Sequence, residues 1–205
     1  MNVQKIRTYT LATLMGIASV AIPNIVMANT ITQADTFVST VPPQGTANPE
    51  VLAAAPSPEI TVKGVQTIAK FVVDVSKNIL YDYDEMGNPK GAYKIATGRK
   101  KRNGESLTPK GIRIIDHTEI SPYKNIPSSC KRYGNPGGVY GPRIIYLKAV
   151  DANTGAKKDD GVLLHGNGDY KSLGKYASKG CMRMDNEVIK KFASEVKKGQ
   201  YVLVI

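Results

Sequence analysis

Two side chains in the C-terminal third of the chain, His165 and Cys181, have the types needed for nucleophilic catalysis. A cysteine acts through its thiolate, and it needs a base for its proton and donors for the oxyanion. Gly180 lets the backbone approach a substrate and point N–H groups into a site. Lys179 and Arg183 lie two residues to either side of Cys181, and cations favour a thiolate. The residues predict a reactive cysteine with His165 as its base.

A mostly β domain of about 140 residues, from residue 66 onward, must position these side chains. In the segment 69–75, Phe71, Val73 and Val75 alternate on one predicted face. Turn residues between two apolar segments predict a hairpin. Further strands are predicted at 110–120, 141–150, 161–166 and 201–205. The pattern favours a β-sandwich or a barrel-like sheet.

One main helix is predicted after Cys181. Asp185 is a suitable N-cap residue. Apolar residues then recur at helical spacing, at Val188, Ile189, Phe192 and Val196. Gly199 can end the helix.

The N-terminal part of the chain predicts export. Residues 1–28 contain a charged start, a short apolar stretch and the small-residue cleavage site Val26-Met27-Ala28, which together indicate a signal peptide. A retained membrane anchor is the alternative. Residues 29–65 are rich in Ala, Thr, Pro and Ser, which predicts a disordered linker before a catalytic domain at 66–205. We expect no transmembrane helix in the mature chain and an extracytoplasmic location, in a periplasm or cell wall.

The composition limits the partners. The net charge is +11, and removal of the two cations in residues 1–28 takes it to +9. A basic exported protein suits an anionic envelope polymer or lipid surface better than nucleic acid, although the charge is equally consistent with a solvated surface. The chain has two cysteines and two histidines without close ligand spacing, so no metal site and no cofactor are expected. In an oxidising compartment the two cysteines could also pair.

The segment from His165 to Met184 resembles the catalytic motif of the L,D-transpeptidase catalytic domain family. The shared pattern is His-Gly, then Ser, a basic residue, Gly-Cys, an apolar residue and Arg. The upstream segments "LTPKGIRII" and "VYGPRIIYL" are also similar to that family. The similarity covers about residues 69–205.

The resemblance implies a β-rich, L,D-transpeptidase-like domain that acts on peptidoglycan stem peptides. It implies Cys181 as the nucleophile and His165, followed by Gly166, as the base. It also implies oxyanion donors at the backbone N–H groups of Gly180 and Cys181. Ser178 would brace the site through hydrogen bonds, and Arg183 would bind a substrate carboxylate or order the loop. Carbapenems are expected to acylate the cysteine.

Three activities share the first half-reaction that the resemblance implies. The thiolate attacks the carbonyl before the terminal D-alanine of a stem tetrapeptide, and an amine from another stem then makes a 3–3 cross-link. In an L,D-carboxypeptidase, water resolves the same acyl-enzyme. In the third activity, a lysine amine of an envelope protein does so. A non-catalytic wall-binding protein is disfavoured by the presence of both Cys181 and His165.

Two departures from the family pattern affect these roles. Lys179 stands where the family often has His, so the proton transfer falls to His165. Asn167 stands after the His-Gly where Thr is common. We interpret His117 as a surface residue and Cys130 as a loop thiol without a catalytic role.

Overall fold

The structure is a computed structural model, and it describes residues 45–46, 48–121 and 138–205. The predicted signal peptide, the first part of the predicted linker and Cys130 lie outside these residues. Among the described residues, no helix is long and apolar enough to span a membrane.

β-Strands are the main secondary structure of the described residues. They are β1 (Gly45–Thr46), β2 (Glu59–Val62), β3 (Val65–Asp74), β4 (Ile79–Tyr83), β5 (Pro89–Lys94), β6 (Thr97–Gly98), β7 (Gly111–Ile120), β8 (Arg143–Val150), β9 (Lys157–Lys158), β10 (Leu163–His165), β11 (Tyr176–Ser178), β12 (Met182–Arg183) and β13 (Tyr201–Val204). The α-helices are α1 (Pro49–Ala53) and α2 (Asn186–Glu195).

Eleven of these strands form one mixed sheet. Its order is β1-β5-β4-β3-β13-β7-β8-β10-β12, with β2 paired to β3 and β9 paired to β8. The C-terminal strand β13 lies inside the sheet, parallel to β3 and antiparallel to β7. Strands β6 and β11 pair separately, in parallel. The predicted mostly β fold is confirmed, as is the hairpin, which is the antiparallel pair β4–β5.

Helix α2 covers one face of the sheet. It begins after Asp185, whose carboxylate accepts hydrogen bonds from the N–H groups of Glu187 and Val188, as predicted for an N-cap. Its apolar side packs on the predicted strand face, and the ring centroids of Phe71 and Phe192 are 4.7 Å apart. The helix ends at Glu195, before the predicted Gly199, because the next residue already has extended backbone (ψ 150°).

The opposite face of the sheet is covered by residues that we predicted to be linker. Strand β2 pairs antiparallel with β3, and Ile60 and Val62 are buried in a second apolar cluster with Val72, Tyr81 and other residues. Helix α1 packs against the same cluster through Val51 and Leu52. The structure therefore differs from the predicted disordered linker over residues 48–65. Two alternating apolar residues in a short segment were too weak a sequence signal for a strand.

Replacing a buried residue of β2 tests whether this segment belongs to the folded domain. Ile60→Ala should lower the free energy of unfolding by about 2–5 kcal/mol, since it removes a buried side chain and leaves a cavity. Thr61→Ala, on the exposed side of the same strand, should change it by less than about 0.5 kcal/mol. Urea unfolding of both variants measures the difference. Equal, small effects would mean that β2 is a dispensable appendage.

Candidate active site

The pairing of β10 with β12 brings the two halves of the sequence motif together. The strands are parallel, with Leu164 opposite Met182 and His165 opposite Arg183. Leu164 and Met182 are fully buried in the first apolar cluster. Because side chains alternate along a strand, His165 and Arg183 lie on the other side of this strand pair. Cys181 immediately precedes β12, so the predicted base and nucleophile come from neighbouring strands.

The ring of His165 is held in one orientation. Nδ1 lies 2.6 Å from the Gly166 carbonyl oxygen. A carbonyl only accepts hydrogen bonds, so in the neutral ring Nδ1 carries the hydrogen and Nε2 carries the lone pair. The Tyr140 ring lies against the imidazole, with centroids 4.9 Å apart. This contact of the Gly166 carbonyl was not predicted from the sequence.

Burial makes His165 a neutral imidazole at pH 7. His165 is only 3% exposed, and this loss of solvation lowers the pKa of its imidazole to about 4. The positive charge of Arg183 contributes to the same lowering. The backbone carbonyls of Gly166 and Tyr140 oppose the shift, but more weakly. A neutral imidazole is the form that can accept a proton.

Cys181 is half-buried, and its thiol is protonated at rest. Sγ donates a hydrogen bond to the Gly161 carbonyl oxygen, at 3.6 Å. Burial raises the pKa of the thiol; the Leu163 backbone and Arg183 oppose this shift. Arg183 favours the thiolate, as expected of a cation beside Cys181, but the effect of burial is larger. Lys179 points to solvent, and the cations that act on the sulfur are Arg183 and Arg113.

The Ser178 side chain makes two hydrogen bonds within the turn before the cysteine. Its hydroxyl is buried, donates to the Cys181 carbonyl oxygen at 2.6 Å and accepts from the Gly180 N–H at 3.0 Å. The Gly180 N–H, which we expected to be an oxyanion donor, is therefore engaged by Ser178 in this conformation. Gly180 has φ +142°, a backbone conformation that other residues rarely adopt.

A second loop holds the same turn from outside the motif. The Thr108 hydroxyl donates to the Gly180 carbonyl oxygen at 2.8 Å and accepts from the Gly98 N–H at 2.7 Å. Thr108 belongs to the Thr-Pro-Lys-Gly segment that resembles the family, but its contact with Gly180 was not predicted. The Thr-Pro-Lys-Gly sequence was the signal that could have identified Thr108 as part of the site.

A cavity of about 640 Å³ lies beside this loop, and Thr108 is part of its lining. Its charged lining residues are Lys100, Lys101, Glu105 and Lys110, so cations outnumber anions. Lys101 and Glu105 pair at 3.5 Å. Lys100 lies over the Tyr176 ring, 4.7 Å from its centroid.

Asn167 ties the His-Gly segment to the start of α2. Its N–H donates to the Asn186 side-chain oxygen at 2.8 Å, and the Asn186 amide donates back to the Asn167 carbonyl at 3.2 Å. A Cβ on Gly166 would come within 2.5 Å of the same Asn186 oxygen, so this close approach requires glycine. The side chain of Asn167, the residue that departs from the family pattern, donates to the Asp169 carbonyl oxygen at 2.6 Å and accepts from the Asp169 N–H at 2.9 Å.

An arginine and an aspartate that the sequence analysis missed lie close to the cysteine. Arg113, on β7, is 2% exposed and makes two hydrogen bonds to the carboxylate of Asp160, at 2.8 and 2.9 Å. Both charges act on the Cys181 thiol. The sequence signal was a single arginine within the apolar run "GIRII". This signal predicts a charge that faces the interior only when the neighbouring strands are known.

The other residues discussed from the sequence are Arg183, His117 and Cys130. The backbone N–H and carbonyl of Arg183 bond Ala96, and its Nε is buried without a hydrogen-bond partner among the described residues. His117 is exposed and pairs with Asp116 at 3.0 Å, in agreement with a surface position. Cys130 lies outside the described residues. Among the described residues, no three side chains of His, Cys, Asp or Glu come together as a metal site.

Comparison with known proteins identifies the family. The model of the L,D-transpeptidase catalytic domain family matches residues 69–205. The chain belongs to this family. A Bacillus subtilis protein with the name "Putative L,D-transpeptidase YqjB" is 31% identical over 119 residues, which cover 56% of this chain and 58% of that protein. The match therefore spans little more than half of the relative's length.

Solved structures with a similar fold include Bd1075 of Bdellovibrio bacteriovorus, with 22% identity and a TM-score of 0.48, covering 73% of this chain and 51% of that one. An L,D-transpeptidase from Mycobacterium smegmatis has 20% identity and a TM-score of 0.43, covering 73% and 68% of the two chains. The predicted membership of the L,D-transpeptidase family is confirmed by the family model.

The buried His165 of this L,D-transpeptidase domain predicts a pH dependence of stability. Its pKa of about 4 in the folded state lies below the ordinary value of 6.5. The unfolded chain therefore binds a proton at a higher pH than the folded chain, so this stability is complete above pH 6.5 and is lost as the pH falls to about 4. Over this interval wild-type should lose roughly 3 kcal/mol more than His165→Gln.

Urea unfolding at a series of pH values measures this difference. His117→Gln removes the chain's other, exposed imidazole and should leave the wild-type slope in place. A slope that is identical in wild-type and His165→Gln would mean that the imidazole is not buried as described.

Proposed function

We propose that the protein is a peptidoglycan L,D-transpeptidase that forms 3–3 cross-links through a thioester on Cys181. The observation that supports this most strongly is the pairing of β10 with β12, which places a neutral, oriented imidazole on the strand beside the cysteine. Family membership supports the same reaction class. No cofactor is needed for acyl transfer by this pair of side chains.

In the first half-reaction, His165 Nε2 takes the thiol proton as Sγ attacks the carbonyl carbon that precedes the terminal D-alanine of a tetrapeptide. A tetrahedral oxyanion forms, and the Cys181 N–H is the donor that we assign to it. When the intermediate collapses, the C–N bond breaks. His165 gives its proton to the leaving D-alanine amine, and a thioester remains.

In the second half-reaction, a side-chain amine of another stem attacks the thioester carbon. His165 takes a proton from that amine, the C–S bond breaks, and the proton returns to the thiol. The product is an amide between two third-position residues. Both half-reactions use His165 as an acid and as a base, which its neutral resting state allows.

The charge around the site supports an anionic peptide substrate. Stem peptides carry carboxylates, and the cavity beside Thr108 has three lysines and one glutamate in its lining. We assign the partly exposed guanidinium of Arg183 as a further donor for a substrate carboxylate. We also infer an extracytoplasmic location, because that is where peptidoglycan is cross-linked and residues 1–28 have the regions of a signal peptide. The N-terminal residue of the protein recovered from the cell envelope tests this inference. An N-terminus at Asn29 would support export with cleavage, and an intact Met1 would contradict cleavage.

Incubation with a purified disaccharide-tetrapeptide tests the activity directly. Mass spectrometry should find released D-alanine and a dimer that has lost one D-alanine. Release of D-alanine with a tripeptide monomer would instead indicate an L,D-carboxypeptidase. A product that forms only with a lysine-containing envelope protein would indicate attachment, and the absence of all three would contradict cysteine acyl transfer to this substrate.

Four variants test the assigned roles through acylation by a carbapenem, followed by intact mass. Cys181→Ala should form no adduct, because it removes the nucleophile. His165→Ala should slow acylation by about 10²–10⁴-fold. Lys179→Ala should have a smaller effect, because Lys179 is exposed, and Cys130→Ala should keep most of the rate. An adduct that maps outside Cys181, or a larger loss in Lys179→Ala than in His165→Ala, would contradict these roles.

A further inference from the structure

The segment before β10 is held in place by an ion pair between the buried Arg113 and the more exposed Asp160. Arg113 Nη1 makes hydrogen bonds of 2.8 and 2.9 Å to the two carboxylate oxygens of Asp160, and Nη2 donates to the Pro109 carbonyl at 3.2 Å. Asp160 in turn accepts from the Val162 N–H at 3.3 Å. The ion pair thus fixes the backbone on both sides of Gly161.

The Gly161 carbonyl is the hydrogen-bond acceptor of the nucleophile's thiol, with Sγ at 3.6 Å. Gly161 has φ +72°, so the direction of its carbonyl depends on a backbone conformation that suits glycine. Its N–H is held by the Asp159 carboxylate at 2.9 Å. The orientation of the thiol therefore depends on a loop that the ion pair braces.

A fully buried arginine is unusual, and its Nε has no hydrogen-bond partner among the described residues. Its partner carboxylate keeps 24% of its side-chain surface in contact with solvent, and ion pairs that are open to solvent contribute little net stability. Stability alone is thus a poor reason for this pair. Its position beside the sulfur gives it a second effect, because each charge acts on the protonation of Cys181 with the opposite sign.

We propose that the Arg113–Asp160 ion pair is a positioning element for Cys181, which directs the Gly161 carbonyl to the resting thiol and balances the charge beside the sulfur. Neither residue is assigned a contact with substrate. The inference rests on the proposed role of Cys181 as the nucleophile, but not on the identity of the substrate.

The two members of the pair should affect the thiol in opposite directions. Asp160 is an anion near the sulfur and favours the protonated thiol, whereas Arg113 favours the thiolate. The other groups that act on the sulfur are Arg183 from β12 and the Leu163 backbone from β10. These remain when either member of the pair is replaced.

The test is the rate of Cys181 alkylation by iodoacetamide as a function of pH, in full-length protein that carries Cys130→Ser so that one thiol remains. In Asp160→Asn the midpoint of the profile should shift to lower pH, and the rate at pH 7 should rise by about 3- to 10-fold. In Arg113→Met the midpoint should shift to higher pH. Arg113→Lys keeps the charge and should lie closer to wild-type than Arg113→Met.

Asp159→Asn is the matched control, because it removes the same charge from the neighbouring residue, leaves the ion pair intact and keeps a side-chain oxygen that can accept from the Gly161 N–H. Its midpoint should stay at the wild-type value. If Arg113→Met does not fold, as judged by circular dichroism, the comparison of Asp160→Asn with Asp159→Asn decides the proposal.

Shifts of opposite sign for Asp160→Asn and Arg113→Met support the proposal. Shifts in the same direction would indicate only a loosened loop and would overturn it, as would unchanged midpoints or equal shifts in Asp160→Asn and Asp159→Asn. Alkylation needs no peptidoglycan, so a failure to convert stem peptides would contradict the proposed function while leaving this result in place.

Discussion

Strands β10 and β12 have three and two residues, yet the site depends on their parallel pairing. Leu164 and Met182 secure the pair from the core side, where both are fully buried. Without that burial, nothing in the local sequence would hold His165 at a fixed distance from a cysteine sixteen residues later. The apolar residues between the functional ones therefore determine the chemistry as much as the functional ones do.

Burial has opposite consequences for the two partners of the proposed reaction. It removes the charge from His165 and keeps the proton on Cys181, so the resting pair is neutral. A thiolate–imidazolium pair would need compensation for two desolvated charges. Arg183 could compensate only one of these two charges, because its positive charge favours the thiolate but disfavours an imidazolium. We infer that the proton leaves the thiol as the carbonyl is attacked, when the negative charge can move to the oxyanion.

The sequence was sufficient for the features that are local along the chain. The alternation of Phe71, Val73 and Val75 identified a strand and its buried face, and Asp185 identified the start of α2. The family motif located His165 and Cys181. It gave only part of the electrostatics: of the two cations adjacent to Cys181 in sequence, Arg183 acts on the sulfur, while the Lys179 side chain is exposed.

The missed contacts are long-range. Thr108 bonds a carbonyl 72 residues away, and Arg113 pairs with a residue 47 positions away. Such pairs depend on the order of the strands in the sheet, which the periodicity of apolar residues along the chain does not reveal. Strand β2 was missed for a related reason, because its four residues become a buried element only against β3.

The turn before Cys181 is shaped before any substrate arrives. The Ser178 hydroxyl has one hydrogen, which it gives to the Cys181 carbonyl, so its remaining role toward the Gly180 N–H is that of an acceptor. Thr108 fixes the other side of the same peptide through the Gly180 carbonyl. With both groups of Gly180 engaged, the next N–H, that of Cys181, is the donor that we assign to the oxyanion. Dipoles that are held in advance need not reorganise during the reaction, and this is where electrostatic catalysis gains most of its effect.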